Sequence, residues 1–117
     1  MPLPTLAPGK AMVIGRVVAD ETSQPIPKRP VWLSEVVRQG DQAIFVLNTI
    51  SAPSGPTDQQ GRFVIANVDP KEYVIVVGDP YSSDYDIISE APDTARVWKL
   101  EADKMLDVGE LRVWFKP

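Results

Sequence analysis

The chain of 117 residues contains no cysteine and no histidine. Without cysteine there can be no disulfide, no catalytic thiol and no thiolate metal site. Without histidine the chain lacks the commonest general base and the commonest ligand of transition metals. These two absences argue against an enzyme, and we expect neither catalytic residues nor a cofactor.

Long apolar runs and an excess of positive charge are also missing. Asp and Glu number 16 against 12 Lys and Arg, which gives a net charge of −4. A nucleic-acid partner needs a basic face to neutralise phosphates, and a membrane-spanning helix needs about 20 consecutive apolar residues. The sequence therefore predicts neither a nucleic-acid partner nor a membrane span.

Negative charge is concentrated in residues 79–93, which carry five acidic residues and no basic one. Carboxylates on a loop are the hard oxygen ligands that Ca²⁺ prefers, so a calcium site is one interpretation. The spacing does not match an EF-hand loop, and the favoured interpretation is a solvated loop pinned to the domain by Tyr81 or Tyr85. The calcium candidates are Asp79, Asp84, Asp86 and Glu90.

Proline is abundant, with 12 residues, and three of them lie within the first eight positions. Proline fixes φ and lacks a backbone N–H, so this stretch favours an extended conformation over a helix or a paired strand. We therefore predict a Pro-rich linker or tether over residues 1–11 and one folded domain over residues 12–117.

Short apolar runs separated by turn residues fill the rest of the chain. They are rich in β-branched and aromatic residues, and the side chains alternate between apolar and polar as they do along a half-buried strand. This pattern predicts an all-β fold, a sandwich of about seven strands in two antiparallel sheets. The predicted strands are residues 12–19, 31–37, 43–50, 62–68, 72–77, 95–100 and 106–115.

A family resemblance rests on motifs spread over about residues 12–113. They are GRVV at 15–18, QPIP at 24–27, TDQQGRF at 57–63, ANV at 66–68, YVIVV at 73–77 and DVG at 107–109. In this order the chain resembles carboxypeptidase regulatory-like domains, which are similar to collagen-binding-protein B-type (Cna B-type) and transthyretin-like sandwiches. The resemblance implies a seven-stranded antiparallel Greek-key β-sandwich, immunoglobulin-like or prealbumin-like. Catalytic relatives of these sandwiches depend on histidine, which supports the expectation of no enzyme.

Two of these motifs make local predictions. The side chain of Asp58 can accept hydrogen bonds from amides two residues on, and Gly61 can take a positive φ, so residues 57–61 predict a tight turn. Residues 107–109 predict a bend or bulge at the start of the last strand. Phe63 and Tyr73 are expected in or near the core.

Three tryptophans form the second candidate site. Trp32, Trp98 and Trp114 each neighbour an expected core residue in sequence, so each is a candidate to point outward. Exposed indole rings can stack on sugar rings or anchor a protein partner. The favoured interpretation is that the rings pack beneath a loop or form a second small cluster, because a tryptophan is rarely left fully exposed.

These observations favour two functions. The first is a non-catalytic structural or adhesive domain of a bacterial cell-envelope or secreted protein, because the Pro-rich start is similar to the segment after the lipidated cysteine of bacterial lipoproteins. That similarity implies a lipid anchor upstream of residue 2. The alternative is a carbohydrate- or peptide-binding module that uses the tryptophans or the acidic loop at 79–93. The expected partner is a surface protein or a polysaccharide. We expect a monomer, although the edges of a sandwich can pair between molecules.

Overall fold

Two β-sheets pack face to face in the computed structural model, which describes residues 3–82 and 84–115. One sheet has the strand order β11-β1-β5, and the other has the order β10-β6-β2-β3 with β4 beside β2 and β7 beside β6. A small hairpin, β8-β9, lies outside both sheets. The strands are β1 Ala11–Ala19, β2 Pro30–Gln39, β3 Gln42–Phe45, β4 Ser54–Pro56, β5 Arg62–Val68, β6 Glu72–Gly78, β7 Tyr85–Ile87, β8 Ser89–Ala91, β9 Thr94–Ala95, β10 Val97–Lys99 and β11 Met105–Val113.

The core between the sheets is built from alternate positions of the long strands, as the period of two predicts. The contributing side chains include Val13 and Val17 of β1, Val31 and Leu33 of β2, Phe63 and Ile65 of β5, Tyr73, Ile75 and Val77 of β6, and Leu111 and Val113 of β11. The prediction of an all-β sandwich is confirmed. In the part of the chain that the structure describes, no helix is long and apolar enough to cross a membrane.

Two details of the predicted sandwich are wrong. The described residues form eleven strands rather than seven, because β4, β7, β8 and β9 have only two or three residues and are too short to show an alternating pattern. The sheets are also not purely antiparallel, since β1 and β11 pair in parallel from Met12 beside Met105 to Ala19 beside Val113. The Greek-key connection stays a prediction.

The turn before β5 is stabilised by a single carboxylate. The Oδ1 atom of Asp58 accepts hydrogen bonds from the backbone N–H groups of Gln60 and Arg62, both at 2.9 Å. Gly61 has φ +78°; its N–H closes the turn by donating to the carbonyl of Asp58 at 3.0 Å, and its carbonyl accepts the N–H of Val17 on β1 at 2.8 Å. The predicted tight turn at 57–61 is present.

A β-bulge interrupts β11 where residues 107–109 predicted one. The register with β1 advances from Ile14 beside Asp107 to Arg16 beside Glu110, so β11 has one more residue than β1 in this interval. Gly109 has φ +75°, and its N–H donates to the Oδ1 atom of Asp107 at 2.8 Å. The bulge bends β11 and exposes Gly109 on the surface of the sheet.

The end of the predicted linker at 1–11 is attached to the domain. The N–H of Ala7 donates to Oδ1 of Asn67 at 3.0 Å, and the N–H of Gly9 donates to Oδ1 of Asp103 at 2.7 Å. Strand β1 begins one residue before the predicted domain start. Whether the residues before these contacts tether the domain to another structure stays a prediction.

Tyr73 is the one buried phenol among the described tyrosines, and its titration gives a measurable prediction. Its hydroxyl donates to the carbonyl of Asp69 at 2.9 Å. Burial, followed by the charges of Asp69 and Glu35, raises the pKa of Tyr73 to about 12. The folded state favours the neutral phenol. The contribution of Tyr73 to the free energy of unfolding is therefore fully present below the unfolded pKa of about 10 and is lost as the pH rises to about 12.

We therefore expect the wild type to lose roughly 2 kcal/mol of stability relative to Tyr73→Phe between pH 9 and pH 12. Urea unfolding of both proteins across this range measures the difference, and comparing the two variants cancels the titration of lysines and exposed tyrosines. A stability difference between wild type and Tyr73→Phe that stays constant from pH 9 to pH 12 would contradict the raised pKa of Tyr73.

Candidate functional site

Trp114 follows β11 and presents an aromatic ring that is both exposed and fixed. The residue is 58% exposed, yet its indole N–H donates to the carbonyl of Tyr85 at 2.8 Å. Its ring meets the buried ring of Phe115 edge to face, with 5.6 Å between centroids. The backbone N–H of Trp114 also donates to Oδ2 of Asp86 at 3.3 Å. An exposed indole held by these contacts is a pre-formed contact surface.

Strand β7 supplies the neighbours of this ring. It pairs with β6, placing Tyr85 beside Gly78 and Asp86 beside Val77, so the partners of Trp114 belong to the opposite sheet. Partial burial raises the pKa of Asp86, and hydrogen bonds from the backbone N–H groups of Trp114 and Ile87 oppose the increase. Trp114, Tyr85 and Asp86 together are called the Trp114 face below.

Two clefts adjoin β7. One, of about 430 Å³, is lined by Phe45, Tyr85, Asp86 and Asp93 among others. The other, of about 360 Å³, is polar and includes Asp86, Arg96 and Arg112. Asp86 lines both clefts, and its carboxylate also accepts the backbone N–H of Trp114, so the clefts adjoin the residue that holds Trp114 in place.

The three predicted tryptophans do not share a site. Trp32 is half-buried on the outer face of its sheet, and its indole N–H donates to the carbonyl of Gly78 at 2.9 Å. Trp98 is only 8% exposed, which agrees with the packed interpretation and rules out Trp98 as an outward-pointing ligand-binding residue. Strand β10 pairs Trp98 with Tyr73, whose side chain faces the core, so the indole is turned inward too.

The buried indole of Trp98 is covered by a cation. The guanidinium of Arg96 lies 3.8 Å from the centroid of its ring. Contacts of this kind stabilise a partly buried ring by about 0.5–2 kcal/mol. Trp98 is therefore a core residue, and Trp114 is the tryptophan that keeps most of its surface exposed.

The acidic loop does not form a metal centre in the described residues. Asp79 accepts a hydrogen bond from the N–H of Tyr81, and Asp86 is engaged by Trp114. Among residues 3–82 and 84–115, no three carboxylates come together in a way that could hold a metal ion, so Asp79, Asp84, Asp86 and Glu90 do not converge. The loop is pinned instead, because the hydroxyl groups of Tyr81 and Thr49 are 2.8 Å apart.

Two members of the Trp114 face could not be identified from sequence patterns alone. Tyr85 was expected to hold the acidic loop, and Asp86 was considered only as a calcium ligand. Both lie almost thirty residues from Trp114 in the chain, and their meeting depends on β7 adding to the edge of β6. A three-residue strand carries no periodic signal that would place it there.

No family model matches the sequence, and no curated protein matches it either. Solved structures do show the fold. A protein from Pseudomonas aeruginosa with a suggested carbohydrate-binding role has 15% sequence identity and a TM-score of 0.56, with 91% of this chain and 90% of that chain covered. A DUF3823 family protein from Bacteroides uniformis has 16% identity and a TM-score of 0.51, covering 89% of this chain and 43% of that one.

The 9R-lipoxygenase from Cyanothece is a third similar structure, with 19% identity and a TM-score of 0.53. The match covers 93% of this chain and only 17% of the lipoxygenase. This contradicts the prediction of no enzyme, since the same fold forms part of a catalytic protein. At this identity the likeness shows the fold alone and assigns no catalytic residue to this chain. The missing histidine and cysteine therefore do not exclude an enzymatic context for the domain.

Proposed function

We propose that the domain binds carbohydrate through the Trp114 face. The observation that carries the proposal is an indole that is more than half exposed while its N–H is fixed by the carbonyl of Tyr85. Sugar rings have apolar faces that pack on aromatic rings, and their hydroxyls donate to carboxylates such as that of Asp86. Because the ring is already held, binding costs little additional side-chain entropy.

Two further observations support the proposal. The clefts beside β7 share the carboxylate of Asp86, which can accept hydrogen bonds from sugar hydroxyls and so fix the orientation of a sugar. The Pseudomonas aeruginosa protein, whose suggested role is carbohydrate binding, has nearly the same extent as this chain. In this proposal the partner is a polysaccharide, and the location is extracellular or the cell envelope.

Affinity measurements on a Trp114→Ala variant test the proposal. Removal of a central aromatic anchor is expected to weaken binding to the best oligosaccharide of a broad panel by at least about tenfold. Isothermal titration calorimetry on each protein gives the affinities. The matched control is Ile50→Ala, which removes an apolar side chain that is 97% exposed elsewhere on the surface and should leave the affinity unchanged. Equal affinity of wild type and Trp114→Ala, or no glycan bound by wild type, would refute the proposal.

A structural or adhesive role in a longer chain is the second candidate. It is favoured by the similar structures in which this fold is one part, 17% of the lipoxygenase and 43% of the DUF3823 family protein. Intact mass and detergent partitioning of the native protein from its source cells test it. A lipid-modified or longer species would support an envelope-anchored domain, and an unmodified chain of 12.9 kDa in the aqueous phase would contradict it.

A further inference from the structure

Two arginines face each other across β1 and β5. Arg16 and Arg62 are direct cross-strand partners in the antiparallel register, on the face of the sheet that points away from the core. Side chains opposite each other in such a pair have Cβ atoms about 5 Å apart, and like charges there are destabilising. A chain with a net charge of −4 has carboxylates available to neutralise such a pair.

The two arginines are not paired with a carboxylate in the described part of the chain. Among the described residues, no carboxylate oxygen forms a salt bridge with Arg16 or Arg62. Arg16 donates from Nε to the carbonyl of Gln60 at 2.9 Å, which positions its guanidinium without neutralising it. Glu110 lies beside Arg16 in the register of β11, but its carboxylate is engaged by Arg112. Within the part of the chain that the structure describes, the two guanidinium groups therefore lie side by side without an ion-pair partner.

An apolar cavity adjoins this pair. It has a volume of about 350 Å³, and both arginines line it together with the aliphatic side chains of Leu3, Ile14 and Val64. The bulge in β11 forms another side of the cavity. Among the described lining residues Asp107 is the one carboxylate, and it accepts the N–H of Gly109. The cavity thus combines an apolar wall with a net positive mouth, and it shares no lining residue with the Trp114 face.

We propose that this cavity binds a small monocarboxylate with an apolar tail, with the carboxylate between Arg16 and Arg62 and the tail against Leu3, Ile14 and Val64. A carboxylate placed between two guanidinium groups accepts charge-assisted hydrogen bonds from both and removes their mutual repulsion. The apolar tail packs against the aliphatic wall of the cavity, and removal of this apolar surface from water favours binding. The site goes beyond the proposed carbohydrate binding and does not depend on it.

Titration with three probes of equal chain length tests the site: octanoate, octanol and octylamine. Octanoate is expected to bind saturably, about tenfold more tightly than octanol, because only the carboxylate engages the arginines. Octylamine should bind more weakly than octanol. Chemical shift changes in ¹H–¹⁵N spectra should centre on the N–H groups of residues 14–16, 62–64 and 107–109. Equal binding of octanoate and octanol, or no saturable binding of octanoate, would overturn the proposal.

The variant Arg62→Gln separates the site from general hydrophobic binding. It should lower the octanoate affinity about tenfold and leave octanol binding unchanged. Because it removes the cross-strand repulsion, it should also keep or raise the melting temperature, so loss of folding does not obscure the result. The charge-matched control Lys99→Gln, on β10 of the other sheet, should leave octanoate affinity unchanged. An undiminished octanoate affinity in Arg62→Gln, or the same loss in Lys99→Gln, would also overturn the proposal.

Discussion

Replacement of Phe63 by alanine is expected to lower the free energy of unfolding by about 3–5 kcal/mol. The side chain of Phe63 is 1% exposed and lies in the core between the sheets. Its ring fits where Gly15 has no side chain, since a Cβ atom on Gly15 would lie 2.9 Å from ring atoms of Phe63. Strands β1 and β5 are hydrogen-bonded neighbours, so their backbones cannot move into the space that the ring leaves. The destabilisation should therefore include the full cost of an empty cavity.

Urea unfolding of wild type and Phe63→Ala measures this loss. Phe45→Ala is the matched control, because it deletes the same atoms from a half-buried ring on the β2–β3 hairpin. Its cost should be less than half that of Phe63→Ala. Similar losses in the two variants would mean that Phe63 does not occupy the core position assigned to it. Small domains are stabilised by about 5–15 kcal/mol, so Phe63→Ala alone can bring this one close to unfolding.

Gly61→Ala is expected to destabilise the domain by about 3 kcal/mol, for a backbone reason. Gly61 has φ +78°, where an L-residue is strained by about 1–2 kcal/mol. A Cβ atom would in addition lie 2.3 Å from the carbonyl oxygen of Val17 and 3.2 Å from the backbone N of Ile26. Both are main-chain atoms: Val17 belongs to β1, and Ile26 follows Pro25, which forms a β-bridge with Val18. They cannot move aside as a flexible side chain would.

Gly40→Ala separates the two terms of this cost. Gly40 has φ +60°, and a Cβ atom there would meet nothing within 4 Å. It should lose only the strain term, about 1 kcal/mol. Thermal melts of both variants give the comparison. If Gly61→Ala costs no more than Gly40→Ala, the close approach of the turn to β1 is not as described.

The features that the sequence predicted well are the ones with a local signal. Phe63 and Tyr73 lie on strands whose alternation shows directly which side is buried. Asp58 and Gly61 define a turn by their own side chain and backbone preferences, and Gly109 does the same for the bulge. In each case the physical cause lies within a few residues of the effect.

The features that the sequence missed depend on pairing between distant segments. The parallel pairing of β1 with β11 joins the two ends of the described domain, and no local pattern specifies it. The inward turn of Trp98 depends on its register with Tyr73. The predicted strand at 43–50 ends at Phe45, because the chain then leaves the sheet edge and returns as β4.

The candidate site stays a prediction, and the sequence supplied only part of it. Trp114 was one of three candidates, because it lies next to an expected core residue in sequence, as Trp32 and Trp98 do. Its partners Tyr85 and Asp86 were in view for other reasons, as a loop anchor and a calcium candidate, and only the placement of β7 unites them. The opposition of Arg16 and Arg62 likewise follows from strand register and has no signature in the linear sequence.

The central claim is that Trp114 is the contact surface for a sugar, and its indole N–H signal tests this most directly. Three indole signals are expected in ¹H–¹⁵N spectra, from Trp32, Trp98 and Trp114, and Trp114→Phe assigns the third. During titration with neutral, amino-sugar and uronic-acid oligosaccharides, at least one class should shift the Trp114 signal saturably while the buried Trp98 signal stays fixed. A Trp114 signal that does not move with any of them would contradict the account.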